Sequence, residues 1–182
     1  MKGGPATFDS TVADWFKSHR TPGEIQWAQV FCAITTPALV FVVVCVALLF
    51  WQYWTDSWLS IDFIPLGLMV SSAGVATLAK LFFDRSRPGV GLATQIDLDP
   101  SYPSSHVAFI AITGGCLLLL YSGRRALTLL FVMLVTVLMA VDRLLLGAHW
   151  FTDLLGSIFM VIGLFYLSKF VEESLEERER MM

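Results

Sequence analysis

Ile25–Thr55 reads IQWAQVFCAITTPALVFVVVCVALLFWQYWT, 31 residues without a single Asp, Glu, Lys or Arg. A helix crosses a bilayer with about 20 largely apolar residues, and about 17 is the lower end. This stretch is long enough to cross and too apolar to face water. Pro37 inside it removes a helical donor and predicts a kink. Trp27 lies near one end and Trp51, Trp54 and Trp58 near the other, where an interfacial aromatic belt places them.

Outward from this stretch the pattern repeats. Phe63–Ala79, Val107–Gly123, Ala126–Val141 and Leu154–Ser168 are uncharged and mostly apolar, and flanking residues bring each to spanning length. Over the whole chain 56% of residues are hydrophobic and 15% charged, against roughly 25% charged in ordinary soluble domains. The reading is an all-α, polytopic transmembrane helix bundle of about five spans: 24–51, 61–83, 103–121, 126–146 and 148–170. A soluble bundle of five buried helices is the alternative that this charge pattern disfavours. One membrane-embedded domain, 1–182, accounts for the chain, with the bundle over 24–170.

The ends differ from the middle. In residues 1–20, Phe8, Val12, Trp15, Phe16 and His19 fall at helical spacing among Asp9, Asp14, Lys17 and Arg20. That predicts an amphipathic helix, either lying at the membrane interface or packed on the bundle. Thr21-Pro22-Gly23-Glu24 has the form of a helix start, with Thr as cap and Glu three residues later. Residues 171–182 form a charged, solvated helical tail. No continuous apolar core of a signal peptide stands in the first 24 residues. The three cysteines, Cys32, Cys45 and Cys116, fall within predicted spans without metal-type spacing and read as packing residues. A net charge of −3 gives no nucleic-acid surface.

Connectivity decides which residues meet. The second span ends where the third begins, and the fourth ends on that same side. Lys80, Arg87, Ser104, Ser105, His106, Arg143 and His149 therefore share one membrane face, while Arg124, Arg125, Lys169, Arg178 and Arg180 lie at the other. By the positive-inside bias the second face is cytoplasmic and the reactive face external or periplasmic. Against this, five spans leave Lys2, Lys17 and Arg20 outside.

The reactive face gathers forked guanidinium donors, an ammonium group and the N-terminus of the third span, whose first N–H groups are free for an anion. A tetrahedral oxyanion, phosphate above all, satisfies such a set. Ala148-His149-Trp150-Phe151-Thr152-Asp153 adds a histidine and an aspartate four apart, which on one helix face lets the carboxylate take one ring N–H and leaves the other nitrogen basic. His19 lies outside this set and reads as an interfacial bystander.

Lys80-x6-Arg87-Pro88, Pro103-Ser104-Ser105-His106 and Arg143-x5-His149-x3-Asp153 together resemble the three-part signature of the type-2 phosphatidic acid phosphatase, or lipid phosphate phosphatase, family. Order and internal spacing agree over residues 80–153. The resemblance implies that His149 attacks phosphorus, Asp153 holds its tautomer, and His106 serves as general acid and then base. Lys80, Arg87, Ser104, Ser105 and Arg143 would hold the phosphoryl oxygens. Cofactors and metals are not expected: three histidines and the nearby carboxylates form no ligand set. Two positions depart from the family pattern, Ser105 where Gly is usual and Asp142 where Ser is usual. Asp142 either weakens phosphate binding at Arg143 or orients that arginine. The family commonly has six spans, and here the amphipathic N-terminus stands in place of the first.

The expected partner is a lipid phosphate substrate within membrane lipids: undecaprenyl or another polyprenyl diphosphate, phosphatidic acid, or phosphatidylglycerol phosphate. Small size and short loops point to a bacterial inner-membrane enzyme and place the polyprenyl diphosphate first. Lipid-to-lipid phosphotransfer by the same chemistry, and a non-catalytic lipid-phosphate binder or transporter, remain as alternatives. Oligomeric state is left open by the sequence.

Overall fold

A computed structural model describes residues 6–55, 64–88, 99–120 and 123–181. The expected turn around Asp56–Asp62 with Trp58, the body of the Gly89–Pro103 loop and Ser122 of the turn before Arg124 lie outside them. Among the described residues all regular structure is helical: α1 Thr7–His19, α2 Pro22–Ile34, α3 Pro37–Thr55, α4 Ile64–Phe83, α5 Ser105–Leu120, α6 Arg125–Leu145 and α7 Phe151–Met181.

The first expected span is broken where proline predicts it. Pro37 has no N–H to give Ala33, so the helix stops at Ile34 and restarts, and α2 and α3 meet at a bend of 47°. The expected helix start at Thr21 is present as a reciprocal cap. Thr21 Oγ1 accepts the Glu24 N–H at 3.3 Å, and Glu24 Oε2 accepts the Thr21 N–H at 2.7 Å.

By length and composition α4, α6 and residues 151–170 of α7 can each cross a membrane, and the bent α2–α3 pair makes a fourth span. The expected fifth, α5, is apolar and is described over Ser105–Leu120, up to the turn that lies outside the described residues. It packs against α3, α4, α6 and α7 and so stands at the centre of the described helices. Its Ala108, Phe109, Ile112 and Cys116 form a buried cluster with Leu68 and Met69 of α4 and Val161 of α7. The outer surfaces are the reverse of a soluble protein's. Phe50, Leu78, Phe82, Leu130, Phe159 and Phe170 all project outward. Apolar surface this continuous belongs in lipid, and the protein is an integral membrane protein.

α1 packs on the bundle. Val12 and Phe16 join a cluster of Val107, Met139, Leu144 and Leu154, and Phe8 meets Phe151 edge to face at 5.4 Å. Phe8 and Trp15 nonetheless remain more than half exposed. Arg20 then donates to the Leu145 carbonyl at 2.8 Å, capping the C-terminal end of α6. His19 bonds to Trp15 O and stacks on the Trp15 ring, remote from the reactive residues.

Candidate active site

Four segments reach one end of the bundle. The last turn of α4 carries Lys80, and the chain then reverses at Asp84, whose φ of 39° is a left-handed conformation that aspartate tolerates better than most residues. Arg85–Pro88 continues without helical structure beside Asp99–Ser104. The Ser101 N–H donates to Arg85 O at 2.8 Å, and the Ser101 hydroxyl and the Trp150 indole N–H both donate to Ser86 O.

The Asp99–Ser104 segment leads into α5. Its Tyr102 ring, edge-on to Phe83 at 4.9 Å, lies over the bare backbone of Gly156. A methyl group at Gly156 would come within 2.3 Å of that ring. Gly156→Ala is therefore expected to cost about 1–3 kcal/mol through overpacking and to displace the Pro103–Ser104 corner. Thermal unfolding of the purified protein measures the first effect, and the Michaelis constant for a lipid phosphate measures the second.

Ser104 precedes α5 as its cap. Its carbonyl takes the first helical bond, from the Ala108 N–H, which leaves the N–H groups of Ser105, His106 and Val107 ahead of the ladder. Ser157 of α7 fixes this corner by accepting the Ser104 N–H at 2.9 Å. The Ser104 hydroxyl itself is buried and has no partner among the described residues. An unpartnered buried hydroxyl beside free helix N–H groups suits an anion.

α6 ends at the same level. Gly147, at φ 63°, takes the left-handed turn that closes the helix, as the sequence break there predicts. Arg143 lies one turn earlier, 1% exposed, and its Nε and Nη2 both close on Asp142 Oδ2. The departure at Asp142 thus has a physical consequence: the guanidinium fork is oriented by its own neighbour. The second oxygen, Oδ1, is buried without a partner among the described residues.

His149 is placed differently from the expectation. It lies in the link between α6 and α7, and α7 begins only at Phe151, so His149 and Asp153 do not ride one helix face. Trp150 caps α7, and Asp153, three residues on, reaches back to accept the Trp150 N–H at 2.9 Å. That reach brings Asp153 Oδ2 to 3.7 Å from His149 Nδ1. The nearer acceptor for Nδ1 is the Ser101 carbonyl, at 2.7 Å.

On the far side of the ring, Arg87 Nη1 lies 3.3 Å from Nε2. A guanidinium can only donate, so Nε2 carries the lone pair and Nδ1 the proton. Burial pulls this imidazole below its ordinary pKa, the Asp153 bond opposes that, and Arg87 adds to it. The neutral ring presents its basic nitrogen to Arg87.

Arg87 is held on three sides: Nε to Asp99 O at 2.9 Å, Nη1 to Ala148 O at 2.8 Å, and Nη2 to Asp99 Oδ1 at 2.7 Å. Lys80 Nζ reaches Pro100 O at 2.7 Å and Asp99 Oδ2 at 2.8 Å. His106, on the first turn of α5, lies 3.8 Å from Cys32 Sγ through Nε2, and Arg143, His149, Arg87 and Lys80 are all close enough to act on its charge. Every residue expected at the site from sequence is thus at this end of the bundle.

Sequence reasoning missed a layer behind them. Arg85 donates to Asp153 Oδ1, to Thr152 Oγ1 at 2.8 Å and to Asp9 Oδ2 at 2.6 Å. Asp9, from α1, also accepts the Thr152 N–H at 2.9 Å and its hydroxyl at 2.7 Å. Its signal was available: Asp9, Val12 and Phe16 share the i, i+3, i+7 stripe that faces the bundle, and an acid on an apolar stripe needs a partner.

Comparison with known proteins bears on the fold and the family. No curated protein matches the chain. The fold is similar to that in the crystal structure of the first transmembrane PAP2 type phosphatidylglycerolphosphate phosphatase from Bacillus subtilis, with a TM-score of 0.78 and 18% identity over 91% of this chain and 85% of that one. The family model of the PAP2 superfamily matches residues 62–173, more than half of the chain and every one of the three motif segments. The protein that folds Lys80, His106 and His149 to one end of its bundle is accordingly a member of the PAP2 superfamily, the type-2 phosphatidic acid phosphatases.

Proposed function

We propose that this protein hydrolyses a terminal phosphate or diphosphate from a membrane lipid through a phosphohistidine at His149 Nε2. The observation that carries the reading is the orientation of one ring. Nδ1 bonds to the Ser101 carbonyl and Nε2 faces the Arg87 guanidinium, so the lone pair points to where a guanidinium would hold a phosphoryl oxygen.

In the first step the Nε2 lone pair attacks phosphorus and the bond to the lipid oxygen breaks, with His106 giving that oxygen a proton. Lys80, Arg87, Arg143, the Ser104 hydroxyl and the N–H groups of Ser105 and His106 bear the charge on the phosphoryl oxygens. Asp153, with the Ser101 carbonyl, steadies the imidazolium that forms. In the second step His106 takes a proton from water, the water oxygen attacks phosphorus, and the P–N bond breaks to free Nε2 and inorganic phosphate. Each anion-holding donor is worth about 3–4 kcal/mol in the transition state, by analogy with oxyanion holes.

A polyprenyl diphosphate is the first-choice substrate, with phosphatidic acid and phosphatidylglycerol phosphate next. The last is the substrate that the structural relative's description names. Arg125 on α6 and Lys169 on α7 lie at the end opposite His149, and the positive-inside bias then turns the active site to the outer side of a bacterial inner membrane. Arg20, a cation on the site side, is occupied in capping α6, which eases its conflict with that bias.

The test is phosphate release from a panel of these lipids in detergent micelles. Turnover of at least one is expected, unchanged by EDTA and blocked by vanadate, which mimics the five-coordinate phosphorus. Loss of activity on chelation, with recovery on adding a divalent cation, would overturn the metal-free mechanism. Transfer of label to an added acceptor lipid instead of water would replace hydrolysis by phosphotransfer.

A further inference from the structure

Gly114 and Gly115 of α5 let two neighbouring helices come in close. A methyl group on Gly114 would strike Val132 of α6, and one on Gly115 would strike Phe165 of α7. One turn further from His149 the same three helices leave a cavity of about 420 Å³. It is lined by Leu118 of α5, by Arg125, Ala126 and Leu129 of α6, and by Lys169 of α7. Small-ligand pockets span roughly 300–1,000 Å³, so the space suits a headgroup.

The lining is divided. Leu118, Ala126 and Leu129 make an apolar wall, and Leu129 is still 47% exposed, so the wall opens outward. Arg125 and Lys169 supply positive charge at the rim. Arg125 is the first residue of α6, and Lys169 lies at the end of the spanning part of α7, Phe151–Phe170. Both heads therefore stand at the ends of membrane-crossing helices, at the depth of lipid headgroups. Neither side chain has a hydrogen bond or ion pair among the described residues. Arg124, at the cap position of α6, makes no side-chain cap bond, and the positive end of that helix adds to the same rim.

These two properties select one occupant. A soluble anion would meet the cations and leave the leucines bare, and an alkyl chain would do the reverse. A phospholipid with a net negative headgroup uses both, with its phosphate between Arg125 and Lys169 and its first methylenes on Leu118 and Leu129. A zwitterionic headgroup brings its own cation and gains less from the pair.

We propose that this cavity is a binding site for one anionic phospholipid, in the leaflet at the far end from His149. It uses none of the residues of the active site and stands whether or not the protein hydrolyses lipids. The bound lipid ties α5, α6 and α7 together where their packing opens.

The experiment places the full chain in phosphatidylcholine vesicles with a tracer of phosphatidylglycerol that carries a diazirine near its glycerol. On irradiation the tracer is expected to label the peptides around Arg125–Leu129 and Phe165–Lys169. Unlabelled phosphatidylglycerol should displace that label, and extra phosphatidylcholine should not. Reading label by position keeps any lipid at the active site out of the count. A cation at headgroup level changes lipid affinity by about fivefold, so Arg125→Gln and Lys169→Gln should each lower the displaceable label by about that factor, and the double variant by about 25-fold. Arg124→Gln removes a neighbouring cation that does not line the cavity and should leave the label nearly unchanged.

Label that phosphatidylglycerol does not displace, or that the double variant keeps, overturns the proposal. An equal loss in Arg124→Gln does the same, since it would mean a diffuse charged belt. Equal displacement by glycerophosphoglycerol would make the occupant a soluble diester and also overturn it. If the double variant fails to fold, Ala126→Phe decides: it keeps both cations and fills the cavity, so it must lose the displaceable label, and retention there removes the site.

Discussion

His149→Ala lowers phosphate release by about 10⁴-fold or more, the scale at which removal of a covalent nucleophile is felt in other hydrolases. The ring is 3% exposed, so alanine also leaves a small cavity and strands the Ser101 carbonyl, at a cost of about 1–3 kcal/mol. His149→Asn separates the two effects. Its amide nitrogen can stand near the place of Nδ1 and donate to Ser101 O, while nothing stands in for Nε2. The expected result is a thermal midpoint near the wild type's with phosphate release as low as in the alanine variant. Trapping sharpens the test, since brief reaction with lipid labelled in its phosphate, quenched and handled in alkali, should leave acid-labile label on the wild type and none on either variant. Retention of activity within about tenfold of wild type in His149→Asn would remove the nucleophile from the mechanism.

How far the chain could be read from its sequence depended on the range of each interaction. Spans were legible because a bilayer imposes a one-dimensional rule, a length of apolar residues, and Pro37, Gly147 and the Thr21 cap act within a turn or two of themselves. The central place of α5 was not legible in the same way. Its first residues belong to the site, and only the packing of α3, α4, α6 and α7 around it shows where it stands. The spacing of His149 and Asp153 brings the two near each other for a different local reason. Four residues is one helical turn, yet it is also the reach of an N3 carboxylate back past its cap, and the chain uses the second.

The same contrast runs through the site. Residues that would meet the substrate could be gathered from connectivity alone, because alternate span ends must share a face. Those that hold them in place could not. Ser101 acts through its backbone carbonyl, which carries no residue signature, and Asp99 and Asp142 act as counter-charges whose partners are fixed only once the loops fold. Asp142 shows the limit well: the sequence left open whether it weakens or orients Arg143, and the structure has both nitrogens of the fork turned toward it.

Asp9→Ala tests whether α1 belongs to the catalytic assembly or merely covers it. Asp9 is fully buried and accepts from Arg85, from both donors of Thr152 and from the Ala6 N–H. Alanine leaves those donors without their acceptor, and breaking a buried pair of this kind costs about 3–5 kcal/mol. The first expected sign is release of α1, read as faster hydrogen exchange over residues 7–19 while α4–α7 keep their protection. The second is kinetic. Arg85 bridges Asp9 to Asp153, so its loosening should reach His149 and lower kcat by roughly 10–100-fold, the range seen when outer partners of a working histidine unit are removed. KM should move little, because neither Lys80 nor Arg87 touches Asp9. Asp9→Asn keeps the shape and loses the charge, and an intermediate kcat is expected of it. Acid provides a parallel probe. Burial raises the Asp9 carboxyl, yet the Thr152 and Arg85 bonds outweigh that and hold it below its ordinary 3.8. Its stabilisation is thus complete above that value and disappears as pH falls through the lowered one, so mild acidification should leave α1 docked. A variant that frees α1 without changing kcat would make the helix a cover and nothing more.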